Sequence, residues 1–303
     1  MAETLVLIDG NSIVHRAFHA IPPLSTQNGI LVNAVFGFSS MLLKIIDDLK
    51  PSYIAVAFDT KGPTFRHDAF PAYKAQRKKA PEELYAQIPL VKEVTNAFHI
   101  PYFELQGFEA DDIIGTLTTQ AERKGLKTTI VTGDLDALQL VSSKTNVSVA
   151  TQGITKAVMY DEAKVYERFQ LKPSQMVDYK ALRGDQSDNI PGVLGVGEKT
   201  AVELLKKYHT LEQVFEHTND LPSTLKEKLE KGRDQAHTAK TLVDIVKDVP
   251  VALDLTIDFS SAYKREEVEE LLRSFGFKSL IKRLPGKRSQ KKEGQLSLLE
   301  GAS

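Results

Sequence analysis

The sequence predicts an α/β fold: a mostly parallel sheet with helical crossovers in the first half of the chain, followed by a mainly helical region. Three observations carry that expectation. The runs Leu5-Val6-Leu7-Ile8, Ile54-Ala55-Val56-Ala57-Phe58 and Thr129-Ile130-Val131-Thr132 are short and apolar without alternation, the pattern of strands buried on both faces. Longer helix-like stretches separate them, giving the βαβ rhythm of a parallel sheet. From about Pro173 onward the pattern turns helical.

Taken in order, a strand is expected near 4 to 9, a helix near 33 to 49, a strand near 53 to 58 and a helix near 81 to 98. A short strand near 101 to 104 precedes a helix from Ala110 to about Lys124 and a strand near 127 to 132. Gly125 is a C-terminal stop for that helix, and Arg123 and Lys124 stand in its last turn, where cations suit the dipole. In the second region Ser174 can cap a helix running to about Arg183, and a Gly-rich turn occupies 184 to 197. Ala201, Leu204, Leu205 and Tyr208 then form an i, i+3, i+4, i+7 stripe. The expected organisation is therefore one domain over 1–173, a helical domain over 174–284, and a polar, Gly/Ser/Lys-rich tail over 285–303, expected to be disordered.

Composition sets limits on function. At 303 residues, 42% hydrophobic and 26% charged, the chain reads as a soluble globular protein with room for two domains. The formal net charge of -1 hides segregation, because bases concentrate around 61–79 and 278–292 while acids gather at strand ends. Cysteine is absent, which excludes disulfides, thiolate metal sites and cysteine nucleophiles. No apolar run approaches the roughly 20 residues that span a bilayer. A cytoplasmic monomer is the default expectation.

The acids are the best guide to chemistry. Asp9, Asp59 and Asp134 each end an apolar run, and ligands of open α/β sheets gather at the carboxyl ends of strands. Glu109, Asp111 and Asp112 open the third helix, Asp136 follows Asp134, and Asp185 and Asp188 lie in the Gly-rich turn. Helix N-capping would explain any one of the helix acids, and strand-end aspartates are common in such folds. The set as a whole is all-oxygen, without His-x-x-x-His spacing, and so suits Mg2+ or Mn2+ rather than zinc. It exceeds what one Mg2+ takes from protein, so two ions are the economical reading, and a pair roughly 4 Å apart suits in-line displacement at phosphorus.

Two further segments bear on binding. Phe65 to Lys79 interleaves Arg66, Lys74, Arg77 and Lys78 with Phe70 and Tyr73, which read either as a solvated charged helix or as cations and rings for phosphate and an unpaired base. If Tyr73 to Lys79 is helical, Lys74 and Lys78 stand at i, i+4. The turn containing Gly195, Gly197, Lys199 and Thr200 leads into a helix whose exposed N–H groups can bind anions, although a plain αα turn has the same appearance. Its spacing is not that of a nucleotide P-loop.

Jointly, Leu7-Ile8-Asp9-Gly10-Asn11-Ser12, Val56-Ala57-Phe58-Asp59, Tyr73-Lys74-x-x-Arg77, Glu109-Ala110-Asp111-Asp112, Gly133-Asp134-x-Asp136 and Gly184-Asp185-x-x-Asp188-Asn189-Ile190-Pro191-Gly192 resemble the 5′ nuclease family. That family includes the 5′-3′ exonuclease domain of bacterial DNA polymerase I, stand-alone bacterial relatives, phage 5′ nucleases and flap endonucleases. The resemblance covers roughly residues 4 to 284. It implies a PIN-like domain with a helical arch, then a helix-hairpin-helix domain that grips duplex phosphates, often with K+ in the hairpin. It implies Asp9, Asp59, Glu109, Asp111 and Asp134 at a first metal, with Asp112 nearby, and Asp136, Asp185 and Asp188 at a second. Lys74 and Arg77 would contact the scissile phosphate, Tyr73 would stack on or steer the displaced base, and Arg66 is a further phosphate contact.

The activity so implied is that of a divalent-metal-dependent 5′-3′ exonuclease and flap endonuclease, acting on DNA with 5′ flaps or 5′ ends and on RNA primer–DNA hybrids. No polymerase domain follows Leu284, so a free-standing nuclease is expected. Gln295, Leu296, Leu298 and Leu299 resemble the short peptide by which bacterial replication proteins dock on the sliding clamp. Two rivals are a non-catalytic DNA-junction binder, disfavoured by the intact acids, and a phosphohydrolase of the haloacid dehalogenase type, which wants Asp where Asn11 stands.

Overall fold

The computed structural model of the chain describes residues 3–77, 79–152 and 156–286. The first apolar run forms β1 (Thr4–Asp9), and Asp9 at its end accepts a hydrogen bond from the Ser12 N–H, capping α1 (Gly10–Ala20) directly. α2 (Asn33–Leu49) stops where Lys50 turns left-handed, and β2 (Tyr53–Ala57) follows. Then come α3 (Phe65–Ala69), α4 (Glu82–Tyr85), α5 (Ile88–Ala97), β3 (Tyr102–Phe103), α6 (Ala110–Arg123) and β4 (Lys127–Thr132). A hairpin of β5 (Thr145–Gln152) and β6 (Lys156–Tyr160) and the helix α7 (Glu162–Phe169) complete the first region.

The sheet has six strands in the order β3-β2-β1-β4-β5-β6, all parallel except β6. Pairing Asp9 with Ala57, and Ile8 with Val131, brings the carboxyl ends of β1, β2 and β4 to one edge. The two faces bury different cores. Val6, Ile8, Ile54 and Val56 face α1, α2 and α5, whereas Leu5, Leu7, Ala55 and Ile130 face α6 and share one continuous core with the helical region.

That region contains α8 (Met176–Arg183), a short ladder of β7 (Gly184–Asp185) with β8 (Ile190–Pro191), α9 (Glu198–Tyr208), α10 (Leu211–Glu216) and α11 (Ser223–Val243). The stripe of Ala201, Leu204, Leu205 and Tyr208 is buried as its spacing requires. Gly184 and Gly192 lie back to back, and a Cβ on Gly192 would sit 2.2 Å from the Gly184 nitrogen, so only glycine lets this ladder close.

Three expectations are corrected. The helix near 81–98 is two helices, because Pro89 at the start of α5 lacks the N–H and would clash with the preceding turn. Residues 71–77 form successive turns rather than a helix. Lys74 has φ 55°, its N–H donates to the Asp188 carbonyl at 2.9 Å, and the Asn189 amide donates to the Ala72 carbonyl at 2.7 Å. Tertiary hydrogen bonds hold the segment in place of the helical arch that the resemblance implies. Ser174 lies within a 3-10 turn, and Gln175 takes the N-cap position of α8.

The last stretch of the chain also packs away from the helices α8 to α11. After α11 the chain runs along α6, where the Gln120 side chain bonds Val251 and Leu253 and Thr116 accepts from the Val249 N–H. It continues into α12 (Phe259–Ala262), α13 (Arg265–Ser274) and α14 (Lys278–Ile281). Val268, Leu272, Phe277, Leu280 and Leu284 join the core beneath α2 and α5 on the far face of the sheet. Among the described residues no helix is long and apolar enough to cross a membrane.

Candidate active site

A cleft of about 880 Å³ opens at the carboxyl edge of the sheet, and its walls include Asp9, Asp59, Glu109, Asp111, Asp134, Asp136 and Asp185. Backbone N–H groups hold several of these acids. Asp9 accepts from the Ser12 N–H at 2.9 Å and the Thr132 hydroxyl at 2.7 Å, and Asp59 accepts from the Ala110 N–H at 2.8 Å. Asp134 accepts from the Asp136 N–H at 2.9 Å. Glu109 caps α6, so it and Asp111 stand at the positive end of that helix dipole.

Burial and mutual repulsion dominate the electrostatics. Burial first, then the charge of Asp59, pushes the Asp9 carboxyl up to about 7. Asp136 is likewise pushed up to about 7 by burial and then by Asp134. Asp59 is raised by burial, and Asp111 well above the ordinary range by burial and the charges of Asp9, Asp134, Asp59 and Asp136. Asp185 goes the other way: burial would raise it, but Lys180 and the hydrogen bonds from Ser187 hold it at about 2. Carboxylates crowded in this way are stabilised by hard cations, and a donor set made only of oxygen is that of a divalent-cation site. The tightest group among the described residues is Asp136, Asp185 and Asp188, each bringing one oxygen within 4.8 Å of the others. The five acids expected at a first ion share the cleft without closing that tightly.

A family model described as "5'-3' exonuclease, N-terminal resolvase-like domain" matches residues 4–170, and one described as "5'-3' exonuclease, C-terminal SAM fold" matches 171–266. The chain belongs to the 5′-3′ exonuclease family. It is similar to DNA polymerase I of Bacillus subtilis, 43% identical over 297 residues, which is 98% of this chain and 34% of that relative. It is also similar to DNA polymerase I of Caldicellulosiruptor bescii, 44% identical over 282 residues, covering 92% of this chain and 33% of that one. The chain thus spans about a third of the length of these curated relatives. Among solved structures, a zinc-bound T5 5′-exonuclease shares the fold with a TM-score of 0.65 at 20% identity, covering 93% of this chain and 97% of that one. The flap endonuclease-1 of Methanococcus jannaschii does so with a TM-score of 0.57 at 16% identity, covering 92% and 90%.

In this member of the family the basic segment lines one side of the cleft. Lys74 donates to Glu109 at 2.9 Å and lies 3.9 Å from Asp188, while Arg77 pairs with Asp188. Both cations are raised because those carboxylates outweigh the effect of burial. Gly195 and Gly197 shape the turn before α9, which starts without a side-chain cap, and Lys199 and Thr200 sit in its first turn.

Three assignments are overturned by placement. Arg66 is 2% exposed and uses four of its five guanidinium N–H groups, with two 2.7 Å bonds to Asp112, one of 2.8 Å to the Leu242 carbonyl and one of 2.9 Å to the Asp244 carbonyl. The fifth N–H, on Nη1, lies 3.6 Å from the Glu109 carboxylate, and burial keeps the group away from a phosphate. Asp112, fully buried, spends its oxygens on Arg66 and on the Glu109 and Val246 N–H groups, so it is a structural partner and not a metal ligand. Tyr73 is 3% exposed with its hydroxyl on Glu109 at 3.0 Å, which leaves no free ring face for a base. Gln295, Leu296, Leu298 and Leu299 lie outside the described residues.

The sequence reading missed Ser12, His15, Arg16 and His19, which line the cleft from α1, and Lys180 and Arg183 from α8. Helical spacing from Asp9 would have pointed to the first four, had the helix after β1 been recognised.

Proposed function

We propose that the chain hydrolyses phosphodiester bonds near single-strand/duplex junctions, as a 5′-3′ exonuclease and structure-specific flap endonuclease using two Mg2+ or Mn2+ ions. The observation that carries this is a cleft whose floor crowds mutually repelling carboxylates, most of them half-buried, with a lip formed by Lys74 and Arg77. Asp9, Asp59, Glu109, Asp111 and Asp134 would hold one ion, and Asp136, Asp185 and Asp188 the other. When bound, the ions supply Lewis-acid activation of water and stabilisation of the leaving oxygen. Lys74 and Arg77 would leave Glu109 and Asp188 for the scissile phosphate, steadying its charge in the transition state.

The substrates proposed are DNA with 5′ flaps or 5′ ends and RNA primer–DNA hybrids, held by their phosphates at the uncapped start of α9, with K+ in the hairpin turn before it. The solved T5 D15 flap endonuclease and Rad2 complexes contain DNA, which supports this reading for a chain of the same fold. For the tail, docking of Gln295 to Leu299 on a sliding clamp remains the proposal.

The direct test is cleavage of a 5′-labelled flap duplex in Mg2+, with EDTA and Asp185→Ala as controls. Cutting near the junction that both controls suppress supports the reading. Tight binding without cutting in Mg2+ and Mn2+ would sink it.

A further inference from the structure

Lys180 stands in the last turn of α8, on a fixed backbone, and its side chain is only 13% exposed. Its ammonium lies between two of the carboxylates assigned above to the second ion, bonded to Asp136 and, at 2.6 Å, to Asp185. The same two residues, with Asp188, form the group that brings one oxygen each to within 4.8 Å. A dication held by Asp136 and Asp185 would need the space between them that Nζ fills. The two cannot share it, because a dication and an ammonium at bonding distance from the same oxygens would repel strongly in this partly desolvated site.

We infer that Lys180 is a tethered counter-cation that holds the second metal position and must be displaced when an ion binds there. The inference rests on the two-ion reading proposed above. Without a cation, Asp136 and Asp185 would face each other with Asp134 and Asp188 nearby, and Lys180 relieves that repulsion while the metal is absent. Its four-carbon stem lets the ammonium leave without moving α8, and the cleft, which Lys180 itself lines, gives it somewhere to go. Lys74 and Arg77 perform a similar service on Glu109 and Asp188 from the arch segment. Lys180 differs in standing on a regular helix and in joining two acids that are both assigned to the second ion.

Two measurements on the full chain without DNA test this. Mn2+ binding, followed by the electron paramagnetic resonance signal of free ion, should give a second site at least about tenfold tighter in Lys180→Met than in the wild type, a ratio equivalent to ~1.4 kcal/mol. Lys180→Arg, which keeps the charge, should stay near the wild type. In the unaltered protein, reductive methylation read by mass spectrometry should find Lys180 protected in EDTA and reactive once Mn2+ saturates the second site. That arm needs no variant to fold. Two ions bound with unchanged or weaker second-site affinity in Lys180→Met, or a Lys180 still protected at saturation, would overturn the exchange and leave the two-ion reading intact. A single ion bound to both proteins would overturn the two-ion reading and this inference together.

Discussion

Replacing Arg66 with Ala separates two roles for a residue that the sequence alone presents as a phosphate contact. Its guanidinium makes two 2.7 Å charge-assisted bonds to a fully buried Asp112 and donates to two carbonyls at the end of α11. Removing one member of a buried ion pair strands the other, at a cost of ~3–5 kcal/mol. At ~2 °C per kcal/mol for a chain of this size, Tm should fall by about 6–10 °C. Because Asp112 also accepts from the Glu109 N–H, the change should loosen the cap of α6 and the contact between α11 and the sheet. The assay is thermal unfolding in EDTA, followed by flap-duplex binding across a salt series at a temperature where the variant is folded. Stability should drop while the salt slope of DNA binding stays the same. A Tm within about 2 °C of the parent, with a slope shallower by about one unit, would refute the structural role and restore the phosphate contact.

The raised carboxyls give a pH signature. Asp9 and Asp136 titrate near 7 when folded and near 3.8 when unfolded, so the stability they contribute is full below about pH 3.8 and is lost as pH rises through 7. Metal binding should release their protons, and the gain in Tm on adding Mg2+ should therefore be larger at pH 8 than at pH 5.5. Equal gains at the two pH values would contradict this. Lys74→Ala and Arg77→Ala should each slow single-turnover cleavage by about 10²–10³ with binding of flap DNA little changed, as removal of transition-state donors does. An equal loss in affinity would make them binding residues instead. A synthetic peptide of residues 289–303 should bind a bacterial sliding clamp, and alanine at Leu298 and Leu299 should abolish the binding; no signal with the parent peptide removes the proposal.

The strands that form the floor of the cleft were legible because β1, β2 and β4 are buried on both faces, and uninterrupted apolar runs have few other uses. Asp9, Asp59 and Asp134 follow from that, since parallel strands present their carboxyl ends on one edge. β5 and β6 escaped notice because an edge hairpin is half solvated, and the outward residues of β6 carry no periodic signal. α1 escaped because it begins at Gly10 with no spacer after β1.

The chain's composition and local pattern thus determined the sheet, the acids at its edge and the all-oxygen chemistry they share. Tertiary structure alone decided which charges are free to act. Arg66 and Lys74 look equivalent in sequence, yet Arg66 meets a buried carboxylate 46 residues away, whereas Lys74 reaches Glu109 in the cleft wall. Lys180 acquires its place between Asp136 and Asp185 through the packing of α8, and residues 71–77 are held in turns by hydrogen bonds to Asp188 and Asn189. The physical reason is common to all of these. Local propensity acts over one or two turns of chain, whereas the partner of a buried charge is chosen by what the fold brings within hydrogen-bond distance, and leaving such a charge unpaired costs more than any local preference can offset.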